Sequence, residues 1–142
     1  KVDVAGKDIV VIGRSVLVGN PLRKMLEDKN ATAVCYYSKT TNMKEKLRQA
    51  DIIISAVGRP PEMYPNGYFK LTGDMIKDGA VVVGVGVRKD VVHDKLYFDV
   101  DFDSVKEKAS FVTPNIGGIG LMTRAILLKN TITACKNLNG LA

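Results

Sequence analysis

Asp8-Ile9-Val10-Val11-Ile12-Gly13-Arg14-Ser15-Val16-Leu17-Val18-Gly19-Asn20-Pro21-Leu22-Arg23-Lys24-Met25-Leu26-Glu27-Asp28 is the stretch that decides the fold. Asp8 to Gly13 is a short β-branched run closed by Gly, the pattern of a strand buried on both faces of a parallel sheet. From Pro21 to Asp28 the apolar residues Leu22, Met25 and Leu26 fall at helical spacing, and Pro sits near the first turn, where its missing N–H costs nothing. Strand, tight turn and helix open a βαβ unit. Gly13 and Gly19 flank the turn, so no Cβ there keeps an anion from the backbone N–H groups and the helix N-terminus, as a pyrophosphate would require. Only these two glycines remain of the common Gly-x-Gly-x-x-Gly spacing, and a generic strand-to-helix turn carries glycines as well. Arg14 adds a permanent cation with a fork of donors suited to phosphate, and Ser15 a hydroxyl. An ordinary surface arginine is the competing reading of Arg14.

The alternation continues outward. Thr32 to Tyr37 reads as a second strand, Met43 to Gln49 as a short polar helix, and Asp51 to Val57 as a third strand closed by Gly58. Arg59 to Thr72 carries Pro60, Pro61, Pro65 and Gly67 and reads as loop, followed by a one-turn helix around Asp74 to Ile76. Ala80 to Val87 is the fourth strand, and its two glycines imply that something approaches the backbone closely. Residues 88 to 99 read as a small hairpin, Asp101 to Ala109 as a helix with acidic residues in its first turn, and Ser110 to Thr113 as a last strand ended by Pro114. A long helix over Leu121 to Lys136 follows the glycine-rich Asn115 to Gly120. This order predicts an α/β fold with a right-handed, doubly wound, mainly parallel sheet flanked by helices.

At 142 residues, 46% hydrophobic and 25% charged, one domain with its own core is expected. No apolar run approaches the length of a membrane span, and the N-terminus has neither an h-region nor a cleavage site, so a soluble intracellular protein is expected. The chain opens on Lys1 without Met, on a polar segment leading straight into a strand, which predicts a piece of a longer protein. Cys35 and Cys135 lie too far apart for a metal knuckle and read as reduced thiols on a strand and a helix. The net charge of +6 raises nucleic acid as a partner. The lysines are scattered over helix faces without interleaved aromatics, however, so a solvated surface around a site for small anions is preferred.

The end of the second strand, Tyr36-Tyr37-Ser38-Lys39-Thr40, carries no acid. NAD sites of this kind place Asp or Glu there on the ribose 2′-hydroxyl, whereas Ser38 and Lys39 suit the extra 2′-phosphate of NADP. An ordinary polar loop is the alternative. Asp99, Asp101 and Asp103 alternate as in a calcium loop but lack its Gly and terminal Glu, and read as a helix N-cap. His93, the single histidine, reads as a surface residue, and Met25, Met75 and Met122 as packing.

Gly13, Arg14, Ser15, Val18, Gly19 and Pro21 occupy every fixed position of Gly-Arg-Ser-x-x-Val-Gly-x-Pro, the signature of the methylenetetrahydrofolate dehydrogenase/cyclohydrolase family, which the chain resembles. Thr113 to Thr123 is similar to the family's Pro-Gly-Gly-Val-Gly-Pro-Met-Thr segment. Ser38-Lys39-Thr40, Ala50-Asp51-Ile52, Ala56-Val57-Gly58, Gly73 to Lys77 and Asp99 to Phe102 also match in order and spacing. The resemblance implies a Rossmann domain in which Arg14, Ser15 and Ser38 face the 2′-phosphate and adenosine ribose of NADP. It places Ala56, Val57, Gly58, Gly86 and Val87 along the ribose and nicotinamide, and Gly117, Gly118 and Thr123 where nicotinamide meets folate. The implied reaction passes hydride from 5,10-methylenetetrahydrofolate to NADP, followed by hydrolysis of the methenyl product. A cytoplasmic homodimer acting on tetrahydrofolate derivatives, with no bound metal, is likewise implied.

The family's cyclohydrolase step relies on a Tyr-x-x-x-Lys pair in an N-terminal domain, and Tyr64 to Tyr68 has no Lys at that offset. No catalytic residue is therefore expected within this chain. Gly84-Val85-Gly86-Val87-Arg88 stands where the family reads Asp-Val-Gly-Ile-Asn, and Ile116 and Leu121 replace prolines. These departures bear on folate handling more than on dinucleotide binding. They keep open a catalytically impaired homologue that serves as a dimerisation or scaffold domain. A different NADP oxidoreductase with the same turn is a third reading.

Overall fold

The computed structural model describes residues 2–58 and 69–141. Five parallel strands form one sheet in the order β2-β1-β3-β4-β7, comprising β1 (Asp8–Ile12), β2 (Thr32–Tyr36), β3 (Ile52–Ser55), β4 (Val81–Gly84) and β7 (Phe111–Val112). Helix α1 (Gly19–Glu27) connects β1 to β2, and α2 (Met43–Leu47) connects β2 to β3. The chain leaves β1 for β2 on one side and returns to pair β3 on the other. The sheet thus reverses winding between β1 and β3, the place where a dinucleotide settles in such folds.

Alternate side chains of each strand supply two cores, one per face. Val10, Ile12, Ile53 and Val82 pack with Leu47, Leu71, Ile76, Val100 and Val105 on one face, while Ile9, Val11, Ile52 and Ile54 pack with Leu22 and Leu26 of α1 on the other. Continuous β-branched strands suit this burial, since each large apolar side chain withdrawn from water contributes roughly 1.5–3 kcal/mol.

The opening βαβ unit matches the sequence reading within two residues at each end. Elsewhere the boundaries move. The strand expected over Ala80 to Val87 ends at Gly84. Val87 instead begins β5 (Val87–Asp90), which pairs antiparallel with β6 (Lys95–Phe98) as a separate hairpin. Helix α3 (Phe102–Lys106) is shorter than expected. Helix α4 (Ile119–Leu138) is longer, and none of its residues is buried. The one-turn helix is a 3-10 turn over Gly73–Met75. Of the three methionines read as packing, only Met75 lies against a core; Met25 and Met122 are exposed. The proline-rich stretch and Tyr64 to Tyr68 lie outside the described residues. Among the described residues no helix is long and apolar enough to cross a membrane.

At the N-terminal edge of the sheet, Asp51 accepts from Lys77 Nζ at 2.6 Å and from the Asp8 amide at 2.9 Å. The Lys77 ammonium, then the Asp8 amide, hold its carboxyl below the usual carboxylate range. On the same face Lys44, then the Thr72 hydroxyl, hold Asp74 down to about 2. A carboxylate whose folded pKa is depressed stabilises the fold above its unfolded pKa, and that contribution is lost as pH falls through the folded value. Lys77→Met is therefore expected to lower the melting temperature at pH 7 and to have a diminishing effect as pH falls below the ordinary Asp value of about 4 and the Asp51 carboxylate takes up its proton. Melting curves across that range check it, and an equal effect at both ends would refute the ion-pair account.

Candidate functional site

Two clefts open at the C-terminal ends of the strands. The first, of about 460 Å³, is lined by Ile12, Gly13, Arg14 and Ser15 after β1, Tyr37, Ser38 and Lys39 after β2, and Ala56 and Val57 after β3, with Met43 and Phe69 closing it. This volume lies within the range of small-molecule sites.

The turn after β1 is shaped by contacts that exclude side-chain atoms. A Cβ on Gly13, whose φ is +115°, would lie 2.5 Å from the Ala56 carbonyl oxygen, and one on Gly19 would lie 2.1 Å from the Gly13 carbonyl oxygen. Gly13 thus lets β1 and β3 close together at the crossover, and Gly19 lets α1 begin directly against the turn. The buried Gly19 carbonyl also accepts from Cys35 Sγ at 3.6 Å, and burial pushes that thiol up.

The first helical amides do not point outward as the glycine spacing suggested. Ser15 Oγ accepts from the Val18 amide at 3.1 Å and the Gly19 amide at 3.4 Å, and its carbonyl accepts from the Asn20 amide at 3.0 Å. Ser15 therefore caps α1 through the residues before it, a role the sequence reading missed. The backbone amides of the exposed residues Arg14, Ser15, Val16 and Leu17 donate to no described group, and of these residues Arg14 and Ser15 line the cleft. The Ser15 hydroxyl hydrogen is likewise available to donate.

Of the residues singled out for the cofactor, Gly13, Arg14, Ser15, Ser38, Ala56 and Val57 converge on this cleft. Val18, Gly19 and Gly58 line neither cleft: Val18 is the cap position of α1 and Gly19 its first residue, while Gly58 follows the β3 corner at a φ of +53°. Ile12, Tyr37, Lys39, Met43 and Phe69 complete the lining. Of these, only Lys39 carried a signal in the sequence, because the others belong to the cleft by tertiary contact alone.

A second cleft of about 340 Å³ gathers Gly84 to Val87, Phe98, Val100 and the segment from Pro114 to Arg124. Gly86, Val87, Gly117, Gly118 and Thr123 meet here, apart from the first group. Thr123 Oγ1 donates to the Ile119 carbonyl at 3.0 Å, so its hydroxyl hydrogen is committed to its own helix.

Between the clefts lies Asp99, 6% exposed. Its carboxylate accepts from Ser55 Oγ at 3.1 Å, from the Val57 amide at 2.6 Å and from the Gly58 amide at 3.1 Å. This corrects the N-cap reading for Asp99. Asp101 does hold the cap position of α3, although its side chain caps no helical amide and pairs with Lys70, Asp103 in the first turn pairs with Lys106, and Asp99 ties the β3 corner to the loop after β4. A Cβ on Gly86 would fall 1.7 Å from Asp99 Oδ2, and one on Gly84 would press on Val100 at 3.1 Å. The close approach that the glycines of β4 implied is therefore made by protein side chains. Because a trans peptide directs its N–H and C=O oppositely, the Ala56 and Val57 carbonyls point away from Asp99. The corner so presents acceptors on the side opposite the carboxylate.

The glycine turn, cations and donors of the first cleft fit a dinucleotide carrying an extra phosphate. Among the described residues no group of three or more His, Cys, Asp or Glu is placed to hold a metal ion. His93 is exposed beside Asp90 at 2.8 Å.

Comparison with known proteins agrees with this geometry. The family described as "Tetrahydrofolate dehydrogenase/cyclohydrolase, NAD(P)-binding domain" matches residues 1–139. The chain is 59% identical over 132 residues to a "Bifunctional protein FolD" of Pyrobaculum islandicum, covering 93% of this chain and 42% of that protein. It is 49% identical to the protein of the same name from Nitrosopumilus maritimus, covering 94% and 44%. The fold superposes with a TM-score of 0.81 on the Campylobacter jejuni bifunctional FolD enzyme, 41% identical over 95% of this chain and 45% of that one. The TM-score is 0.80 with the Trypanosoma brucei dehydrogenase-cyclohydrolase complexed with NADP cofactor and inhibitor, 35% identical over 96% and 46%. The chain thus spans less than half the length of these relatives.

Proposed function

Since the chain belongs to the tetrahydrofolate dehydrogenase/cyclohydrolase NAD(P)-binding domain family, we propose that it is the NADP-holding domain of a bifunctional methylenetetrahydrofolate dehydrogenase/cyclohydrolase. The observation that carries this reading is the meeting of Arg14, Ser15, Ser38 and Lys39 around one cleft at the winding reversal, with no acid at the end of β2. When bound, the cofactor supplies the acceptor for a hydride leaving 5,10-methylenetetrahydrofolate.

The chain's own contribution is binding and orientation. The amides of Arg14 to Leu17 receive the pyrophosphate, and Arg14, Ser38 and Lys39 the 2′-phosphate. Carbonyls of the Ala56-Val57 corner accept from ribose hydroxyls or the carboxamide, and their fixed direction follows from Asp99. The second cleft, with Gly86, Val87, Gly117, Gly118 and Thr123, adjoins the folate. Holding donor carbon and nicotinamide in contact is the part of catalysis that such a domain performs. The groups that hydrolyse the methenyl product belong to a second domain, against which the exposed apolar residues of α4 pack. The whole enzyme works as a cytoplasmic homodimer, without nucleic acid.

Calorimetric titration of the full-length protein carrying this chain tests the reading. NADP is expected to bind more tightly than NAD, and equal or tighter NAD binding would overturn it. Arg14→Ala should weaken NADP more than NAD by about 1–3 kcal/mol, the range for a lost charge-assisted bond. Equal weakening of both would place Arg14 away from the 2′-phosphate.

A further inference from the structure

Arg14 is held by a contact that its sequence neighbours do not reveal. Its guanidinium carbon lies 4.2 Å from the centroid of the Tyr37 ring, closer than in any other cation–π pair among the described residues. The two residues follow adjacent strands whose last pair is Ile12 with Tyr36, and the Gly13 amide donates to the Tyr36 carbonyl at 2.8 Å. Tyr37 is itself fixed by a small closed turn. Its amide donates to Thr40 Oγ1 at 3.0 Å, and its carbonyl accepts from the Thr40 amide at 2.8 Å.

Among the described residues no carboxylate pairs with Arg14. A stacked guanidinium gives up its face and keeps all its N–H donors, which lie at its edge. A solvated arginine loses rotamer freedom when it meets an anion, whereas one already stacked has lost part of it beforehand. The same cleft wall carries Ser38, next in sequence to Tyr37.

We propose that Tyr37 is a positioning residue: its ring face holds the Arg14 guanidinium over the first cleft and thereby sets the preference for a 2′-phosphorylated dinucleotide. This rests on the reading of that cleft as the NADP site. The mechanism requires an aromatic face and makes no use of the phenol hydroxyl.

The test is calorimetric titration of NADP and NAD against full-length protein carrying Tyr37→Leu, Tyr37→Phe, Arg14→Ala or Arg14→Ala/Tyr37→Leu. The quantity read is the ratio of the NAD to the NADP dissociation constant within each variant, so a reduced folded fraction affects both cofactors and cancels. Tyr37→Leu is expected to lower the ratio about three- to tenfold, the scale of a partly solvated cation–π pair. Tyr37→Phe should keep the wild-type ratio, and Tyr37→Leu should change nothing further once Arg14 is alanine. The proposal is overturned by a wild-type ratio in Tyr37→Leu, by a Tyr37→Phe ratio as low as that of Tyr37→Leu, or by an undiminished effect without Arg14. If Arg14→Ala itself leaves the ratio unchanged, Arg14 lies away from the 2′-phosphate and the Tyr37 proposal falls with it, whereas the NADP reading falls only if the wild-type protein binds NAD as tightly as NADP. Failure of the Tyr37 variants alone leaves the NADP reading standing.

Discussion

Asp99→Ala is expected to destabilise the domain by about 2–4 kcal/mol and to weaken dinucleotide binding by at least about tenfold, because a buried donor deprived of its acceptor costs roughly 1–3 kcal/mol. Three donors lose their acceptor at once: the fully buried Ser55 hydroxyl and the amides of Val57 and Gly58. The cost falls short of three full penalties, since Gly58 is exposed and its amide can turn to water. Set against a total stability of about 5–15 kcal/mol, this is a large share. Binding suffers in addition, because the peptide joining Ala56 and Val57, both of which line the first cleft, loses the bond that fixes it.

Asp99→Asn separates geometry from charge. It keeps the shape and one acceptor but presents an NH₂ group to N–H donors, so an intermediate loss is expected. Urea unfolding with NADP titration measures both quantities. An Asp99→Ala protein within 0.5 kcal/mol of wild type by that measure, at the scale of an ordinary surface change, would mean that the corner holds itself without the carboxylate.

Gly19→Ala is the second large effect. Its Cβ would stand 2.1 Å from the Gly13 carbonyl oxygen and 2.9 Å from Arg14 Cα, both backbone atoms that cannot swing aside. The start of α1 must then separate from the turn, breaking the bonds to Ser15 and displacing Arg14. Overpacking of this kind costs about 1–3 kcal/mol and at times more. Because the strain falls on the turn that supplies Gly13, Arg14 and Ser15 to the first cleft, NADP binding is expected to be lost almost completely. Gly120→Ala is the matched control. It lies in the first turn of α4 with nothing within 4 Å of its added Cβ, so it should be neutral or stabilise by up to about 1 kcal/mol. Thermal melts and titrations of both variants give the comparison, and a well-behaved, NADP-binding Gly19→Ala protein would overturn the close-packed turn.

These two variants also separate what was legible in the residues from what was not. Gly13 and Gly19 announced a turn where backbone must come close, and the structure shows that the nearest atoms belong to the protein itself. Asp99 stood in a run of alternating aspartates whose local pattern resembles a helix cap, so nothing in its neighbourhood pointed to Ser55, 44 positions away. Gly86 was read as a place where something comes close to the backbone, and what comes close is that same carboxylate. Tyr37, directly before Ser38, carried no mark of its contact with Arg14. The fourth strand was overextended because Val85 and Val87 continue its β-branched run, although its pairing with β3 ends at Gly84.

By itself the sequence determined the order of strands and helices, the doubly wound class and the position of the glycine turn between β1 and α1. Each of these follows from local periodicity, β-branching and the freedom of glycine, which act over a few residues. Only the tertiary structure decided which side chains share a cleft, that Ser15 spends its oxygen on the start of α1, and that a buried carboxylate orients the β3 corner. Such pairings join residues brought together by strand register and sheet crossing, and register arises when the core closes, not within any single segment.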